Sequence, residues 1–138
     1  MMEGVLIDTN VILDLMTDDP NWADWSEQML CYCDQQGPLY INPIIYAELS
    51  IGFERIEILD QALNDCGFVW LEIPRDALFL AGKVFLQYRK RRGNKQSPLP
   101  DFFIGAHAAV TGLQLLTRDS ARYRSYFPTV ELITPQSN

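Results

Sequence analysis

The sequence predicts one α/β domain, a parallel sheet of about five strands with helices on both faces. Three observations predict it. The chain has 138 residues, within the ~100–200 residues usual for one domain. Short apolar, β-branched runs alternate with helical stretches from end to end, the pattern of βαβ units. No linker, repeat or low-complexity segment breaks that alternation. With 48% hydrophobic and 21% charged residues, the chain is globular in composition. At this size roughly two-thirds of the unfolded surface can be buried without disulfide or metal staples.

The elements follow in order. Val5-Leu6-Ile7 reads as a buried strand. Asp8-Thr9-Asn10 offers N-cap side chains for a helix to about Met16, broken by Asp18-Asp19-Pro20. A second helix spans about 21–35 and ends at Gly37-Pro38. Leu39-Tyr40-Ile41 is the second strand. Pro43 suits the first turn of a helix over 43–52, and another covers 54–65 up to Gly67. Residues 68–73 form a third strand closed by Pro74. Ala77, Ala81, Val84, Phe85 and Tyr88 recur at helical spacing, which makes 75–92 a long amphipathic helix. After a polar loop at 93–97, Pro98 to Val110 is an apolar and therefore central helix. Strands at 113–117 and 130–134 enclose a short helix at 120–126, and a loose tail ends the chain.

Charge divides the sequence. The net charge is -7, which alone argues against a nucleic-acid partner. Residues 1–76 hold fifteen acids and two bases, residues 77–138 nine bases and three acids. Five of those bases lie in Arg89-Lys90-Arg91-Arg92-Gly93-Asn94-Lys95, and Arg118, Arg122 and Arg124 follow. Such asymmetry hints at a polyanionic partner, although 89–95 also reads as a solvated helix end matched to its dipole. No apolar run approaches the ~18–20 residues of a membrane span. The N-terminus lacks a basic, then apolar, leader. Cys31, Cys33 and Cys66 are an odd count with no zinc-finger spacing. A reducing cytoplasm is the expected location.

Four acids stand out. Ligands of an open parallel sheet bind beyond the carboxyl ends of its strands, and Asp8 and Asp119 follow two strand ends. Glu48 has Ile44, Ile45, Ile51 and Gly52 as helical neighbours, and Asp101 has Ile104, Gly105 and Ala108. An isolated acid on an apolar face is costly unless paired, protonated or metal-bound. Each also has a structural reading: Asp8 and Asp119 as N-caps, Glu48 on a half-covered face, Asp101 complementing a helix dipole. Taken together, four carboxylates without a His or Cys cluster make an all-oxygen site suited to Mg²⁺ or Mn²⁺. Beside a basic region, the chemistry indicated is metal-dependent phosphodiester hydrolysis.

Other chemistries lack signatures. G-x-x-x-x-G-K-[ST] and G-x-G-x-x-G are absent. A Ser-His-Asp triad would need His107, which sits mid-helix and reads as a packing residue. The cysteines read as core or surface thiols, and Tyr46 and Trp70 as core aromatics, although either could stack a base. Asp8-Thr9-Asn10 lacks the second Asp of aspartate-based phosphotransferases.

Four blocks carry a family resemblance: Val5-Leu6-Ile7-Asp8-Thr9-Asn10-Val11; Tyr46-Ala47-Glu48-Leu49; Pro100-Asp101-Phe102-Phe103-Ile104-Gly105-Ala106-His107-Ala108; and Leu115-Leu116-Thr117-Arg118-Asp119-Ser120-Ala121-Arg122-Tyr123, followed by Tyr126-Phe127-Pro128. In this order they resemble the PIN-domain ribonucleases, and among them the VapC-type toxins of prokaryotic type II toxin–antitoxin pairs. The resemblance implies a single-domain three-layer α/β/α sandwich over 1–134, with 135–138 as tail. It implies Asp8, Glu48, Asp101 and Asp119 as catalytic residues around Mg²⁺ or Mn²⁺, supported by Thr9, Asn10 and Thr117. It further implies cleavage of structured RNA, a homodimer, and an antitoxin that fills the acidic site with a basic residue. RNA would then lie across Arg89, Arg91, Arg92, Lys95, Arg118 and Arg122. Overall acidity is a departure for a ribonuclease. Two alternatives remain at this point: a PIN-fold RNA-processing or non-catalytic RNA-binding protein without an antitoxin, and an unrelated small-molecule phosphohydrolase.

Overall fold

A computed structural model describes residues 2–92 and 99–135, with the backbone alone at Arg92. Five strands form one parallel sheet in the order β3-β2-β1-β4-β5. They are β1 (Val5–Ile7), β2 (Leu39–Ile41), β3 (Phe68–Trp70), β4 (Gln114–Leu116) and β5 (Leu132–Ile133). Among the described residues seven helices connect them: α1 (Thr9–Met16), α2 (Ala23–Gln36), α3 (Pro43–Ser50), α4 (Ile56–Asp65), α5 (Arg75–Arg92), α6 (Leu99–Thr111) and α7 (Ala121–Tyr126). The result is the expected three-layer α/β/α sandwich. The expected loop 93–97, Pro98 and most of the tail fall outside the described residues.

β1 is the middle strand. Leu6 pairs with Tyr40 of β2 on one side and Leu115 of β4 on the other. Strands covered on both faces should be apolar throughout, and Val5, Leu6, Ile7, Leu115 and Leu116 are all buried. Ala77, Ala81, Val84 and Tyr88 are the buried stripe of α5, as the helical spacing requires. α6 buries Phe102, Ile104, Ala106 and Ala108. At Gly105 a Cβ would overlap the Phe127 ring, so only glycine lets Phe127 seat against α6.

Several boundaries differ from the sequence reading. The third strand stops at Trp70 rather than Ile73, because its partner β2 ends at Ile41, where Asn42 turns into α3; a last bond joins the Leu71 N–H to the Ile41 carbonyl. The fifth strand shrinks to Leu132–Ile133 for the same reason, limited by the three-residue β4. α2 starts at Ala23 because the Asp19 carboxylate holds the N–H groups of Asn21 and Trp22 in a preceding turn. Trp70 is not a core aromatic: on the edge strand it is 47% exposed, with its indole N–H on Glu72. Tyr46 is partly buried and meets Trp70 edge-on. Among the described residues no helix is long and apolar enough to cross a membrane.

Candidate active site at the carboxyl edge of the sheet

The chain runs outward from β1 through β2 to β3, then returns to the other side of β1 to add β4 and β5. The order therefore reverses between β1 and β4, and a crevice opens beyond their carboxyl ends. Asp8 follows β1 directly, its N–H still bonded to the Leu116 carbonyl of β4. Asp8, Glu48 of α3, Asp101 of α6 and Asp119 beyond β4 border one cleft of about 210 Å³, together with Thr9, Asn10 and Leu13. A larger groove, about 1140 Å³ and lined by Trp22, Trp25 and Met29 among others, shares no residue with it.

Asp8 is both a cap and the hub of the cleft. Its Oδ1 accepts the Thr9 N–H at 2.8 Å at the start of α1. Its Oδ2 accepts from the Thr117 hydroxyl at 2.8 Å, the Tyr123 hydroxyl at 3.0 Å and Asn10 Nδ2 at 3.4 Å. The Thr9 hydroxyl donates to Glu48 Oε1 at 2.5 Å, tying α1 to α3. Asn10 Oδ1 accepts the Arg118 N–H, and Thr117 Oγ1 accepts the Asp119 N–H at 3.1 Å. Thr9, Asn10 and Thr117 thus brace the acids and the turn after β4. The Glu48 face of α3 is only partly covered, since Ile51 is 87% exposed; Glu48 itself is half-buried.

Burial sets the electrostatics. Asp8 is pushed up to about 6, mainly by burial and further by the Asp101 charge, against the pull of Thr117 and Tyr123. Burial also raises Glu48, with Asp101 adding and the Thr9 hydroxyl opposing. Asp101 rises through burial, while Arg122 opposes and Asp119 adds. Tyr123 is raised well above an ordinary phenol by burial and the carboxylates around it, so it stays protonated and donates. Acids that raise one another's proton affinity favour a bound cation.

The donor set fits a hard divalent cation. It is all oxygen, and every donor reaching Asp8 is neutral. Among the described residues, though, no three Asp, Glu, His or Cys side chains converge on a point that would hold a metal as they stand. Asp101 is turned toward Arg122, whose Nη1 lies 2.5 Å from its Oδ2. The carboxylates ring the cleft without closing on its centre.

His107 serves packing and capping. Asn42 Oδ1 accepts the Ile44 and Ile45 N–H groups as the cap of α3, which turns its amide nitrogen toward His107 Nδ1 at 3.1 Å. Nδ1 must then be the acceptor, which places the imidazole proton on Nε2. Burial lowers the pKa of His107, and the ring is neutral.

The basic residues part company. Arg89 lies over the Phe85 ring and Arg91 over Tyr126, both exposed on the last turns of α5. Arg118, which the sequence reading places against RNA, is held by an ion pair within its own chain. Its Nε and Nη2 bind both oxygens of buried Asp14 at 2.7 and 2.9 Å, Ser26 completes that site, and the guanidinium lies over Trp22. Lys95 and the Arg92 side chain fall outside the described residues. Sequence reasoning missed Tyr123 and the Arg122–Asp101 pair as parts of the site. A signal existed: Tyr123 lies in the first turn of the short helix that follows Asp119, close to the strand ends.

The PIN domain family matches residues 5–127. The chain belongs to that family. No curated protein matches this PIN domain. Its fold is similar to that in VapBC2 from Rickettsia felis bound to a promoter DNA fragment, at 18% identity and TM-score 0.72, over 96% of this chain and 98% of that one. It is also similar to VapBC-1 from nontypeable Haemophilus influenzae, at 20% identity and TM-score 0.68, over 94% and 96%. A toxin–antitoxin complex from Klebsiella pneumoniae gives 23% identity and TM-score 0.66, over 98% and 100%.

Proposed function

We propose that this PIN domain is a divalent-cation-dependent endoribonuclease and the toxin of a toxin–antitoxin pair. One observation carries the reading: in a chain of this family, four carboxylates from four separate parts of the fold border a single cleft at the sheet's topological switch. Asp8, Glu48, Asp101 and Asp119 would hold Mg²⁺ or Mn²⁺. Such an ion supplies activation of water and neutralisation of charge on a phosphodiester. The chain's own residues supply position. Thr117 and Tyr123 fix the Asp8 carboxylate, Thr9 fixes Glu48, and Asn10 holds the turn that carries Asp119. Arg89, Arg91 and Arg92 with Lys95 would attract the RNA, with Arg122 beside the cleft. The antitoxin partner is supported by the toxin–antitoxin complexes that share this fold. A homodimer in the cytoplasm completes the reading.

The test has two arms. Purified protein should cleave RNA with Mg²⁺ or Mn²⁺ and stop with EDTA; no cleavage under any divalent ion removes the nuclease reading. Induced expression should arrest growth, while Asp101→Asn is tolerated. RNA cleavage in vitro without any growth defect would leave a PIN nuclease of RNA processing and remove the toxin.

A further inference from the structure

Within the acidic cleft, and among the described residues, Asp101 is the acid that meets a full positive charge. Arg122 Nη1 lies 2.5 Å from Asp101 Oδ2. The other Asp101 oxygen lies 3.5 Å from the Tyr123 hydroxyl, which also donates to Asp8 at 3.0 Å. Arg122 and Tyr123 are consecutive residues of α7, a six-residue helix that begins two positions after Asp119. One short helix therefore brings a cation and a neutral donor to two of the four carboxylates. A guanidinium on that oxygen competes with a divalent ion for its lone pairs and its negative charge, and positive charge beside the cleft repels the ion. Here the acids do not converge as they stand. The Arg122 side chain is 36% exposed, so it has solvent to swing into on a long, flexible stem.

We propose that Arg122 is a resident counter-ion: it holds the cation's place on Asp101 in the metal-free cleft, leaves when a divalent ion enters, and so sets how tightly that ion binds. This rests on the reading of the cleft as a cation site. Ion binding and pairing are coupled: an ion that must open the Arg122–Asp101 pair binds more tightly where that pair cannot form. It also separates two roles for one residue. A side chain that merely orients Asp101 as a ligand would help the ion bind, whereas a competing counter-ion opposes it.

The experiment titrates Mn²⁺ into RNA-free protein and follows the free ion by electron paramagnetic resonance. Wild type is compared with Arg122→Ala, Arg122→Lys and Arg122→Gln, and each is also melted in EDTA and in Mn²⁺. Arg122→Ala should bind Mn²⁺ about tenfold more tightly, inside the roughly 5–150-fold range usual for coupled sites. Arg122→Lys, which keeps the charge, should stay near wild type. In EDTA the Ala variant should melt lower, and Mn²⁺ should raise its melting temperature by more than it raises that of wild type. If the Ala variant does not fold, Arg122→Gln, which keeps length and a donor without charge, carries the same expectation. Equal or weaker Mn²⁺ binding in the uncharged variants overturns the counter-ion and leaves the cation site standing. Absence of Mn²⁺ binding in wild type and variants alike overturns both.

Discussion

The Tyr123 hydroxyl donates to the Asp8 carboxylate at 3.0 Å across 115 residues of sequence. The ring is fully buried and packs in the core, while its polar tip reaches the cleft. A hydrogen bond to a charged group contributes about 1.5–3 kcal/mol. Tyr123→Phe keeps the ring and loses only that bond. Asp8 should then be protonated at higher pH still, because the lost donor favoured the carboxylate. The loss of stability should be largest at pH 8 and shrink at pH 5, where Asp8 already carries its proton. Chemical denaturation at the two pH values, with a carbon-13 titration of Asp8, measures both. An unchanged Asp8 midpoint would show that Tyr123 serves packing alone.

Asp8 itself links the cleft to stability. Its folded pKa of about 6 lies above the 3.8 of an ordinary aspartate, so the folded state holds the proton more tightly than the unfolded chain. Stability is then highest below about pH 4 as far as this group is concerned. It falls as pH rises through about 6, by about 3 kcal/mol in all. Glu48 and Asp101, both raised, push in the same direction. Metal-free wild type should lose melting temperature between pH 4.5 and 7, and Asp8→Asn should remove most of that fall while abolishing RNA cleavage. Parallel pH profiles for the two proteins, or cleavage at the wild-type rate in the variant, would contradict the assignment of Asp8.

Asn42 caps α3 and occupies His107 with a single amide, both residues being fully buried. Asn42→Ala removes a cap, worth about 0.5–2 kcal/mol, and strands the imidazole acceptor, which costs about 1–3 kcal/mol more. We expect a total loss of about 2–4 kcal/mol in urea midpoints. Asn42→Asp keeps the cap acceptors and lets His107 donate instead through a change of tautomer, so it should cost less than Ala. Equal costs would mean that the His107 contact contributes nothing.

Local chemistry made much of this fold legible. Val5-Leu6-Ile7, Gly37-Pro38 and Pro43 act through their own backbone preferences or burial, and each marks an element boundary that stands in the structure. The sequence makes β3 and β5 look longer than they are because a strand ends where its partner ends, and neither Ile41 nor Leu116 is visible from residues 71–73 or 134. The site shows the same division. The four acids could be picked out because each follows a strand end or sits among apolar helix positions. Which of them meets Arg122, and which meets Tyr123, depends on how α7 packs against α6. The Phe127 ring set against Gly105 belongs to that same packing. The ion pair of Arg118 is hidden from the sequence for a related reason: its partner Asp14 lies 104 residues away on α1.

RNA contacts supply the last prediction. Lys and Arg that neutralise phosphates release counterions, and each lost contact to a single strand lowers the log–log salt slope of binding by about 0.7. Arg89 and Arg91 are exposed at the end of α5 and rest on aromatic faces, which leaves their charge open to a phosphate. At 3.6 residues per turn they point about 200° apart, so one strand of RNA should use one of them more than the other. Arg118 is spent on Asp14. Arg91→Ala combined with Arg92→Ala should therefore weaken binding and flatten the slope with little change in the cleavage step. Arg118→Ala should leave the slope alone and lower stability, because it strands a buried carboxylate. Binding is measured across a salt series with Asp8→Asn protein, which prevents turnover. A slope unchanged by the α5 variants would place the RNA elsewhere and reduce the basic run to the solvated end of a helix. A slope lowered by Arg118→Ala would mean that RNA draws that guanidinium off Asp14.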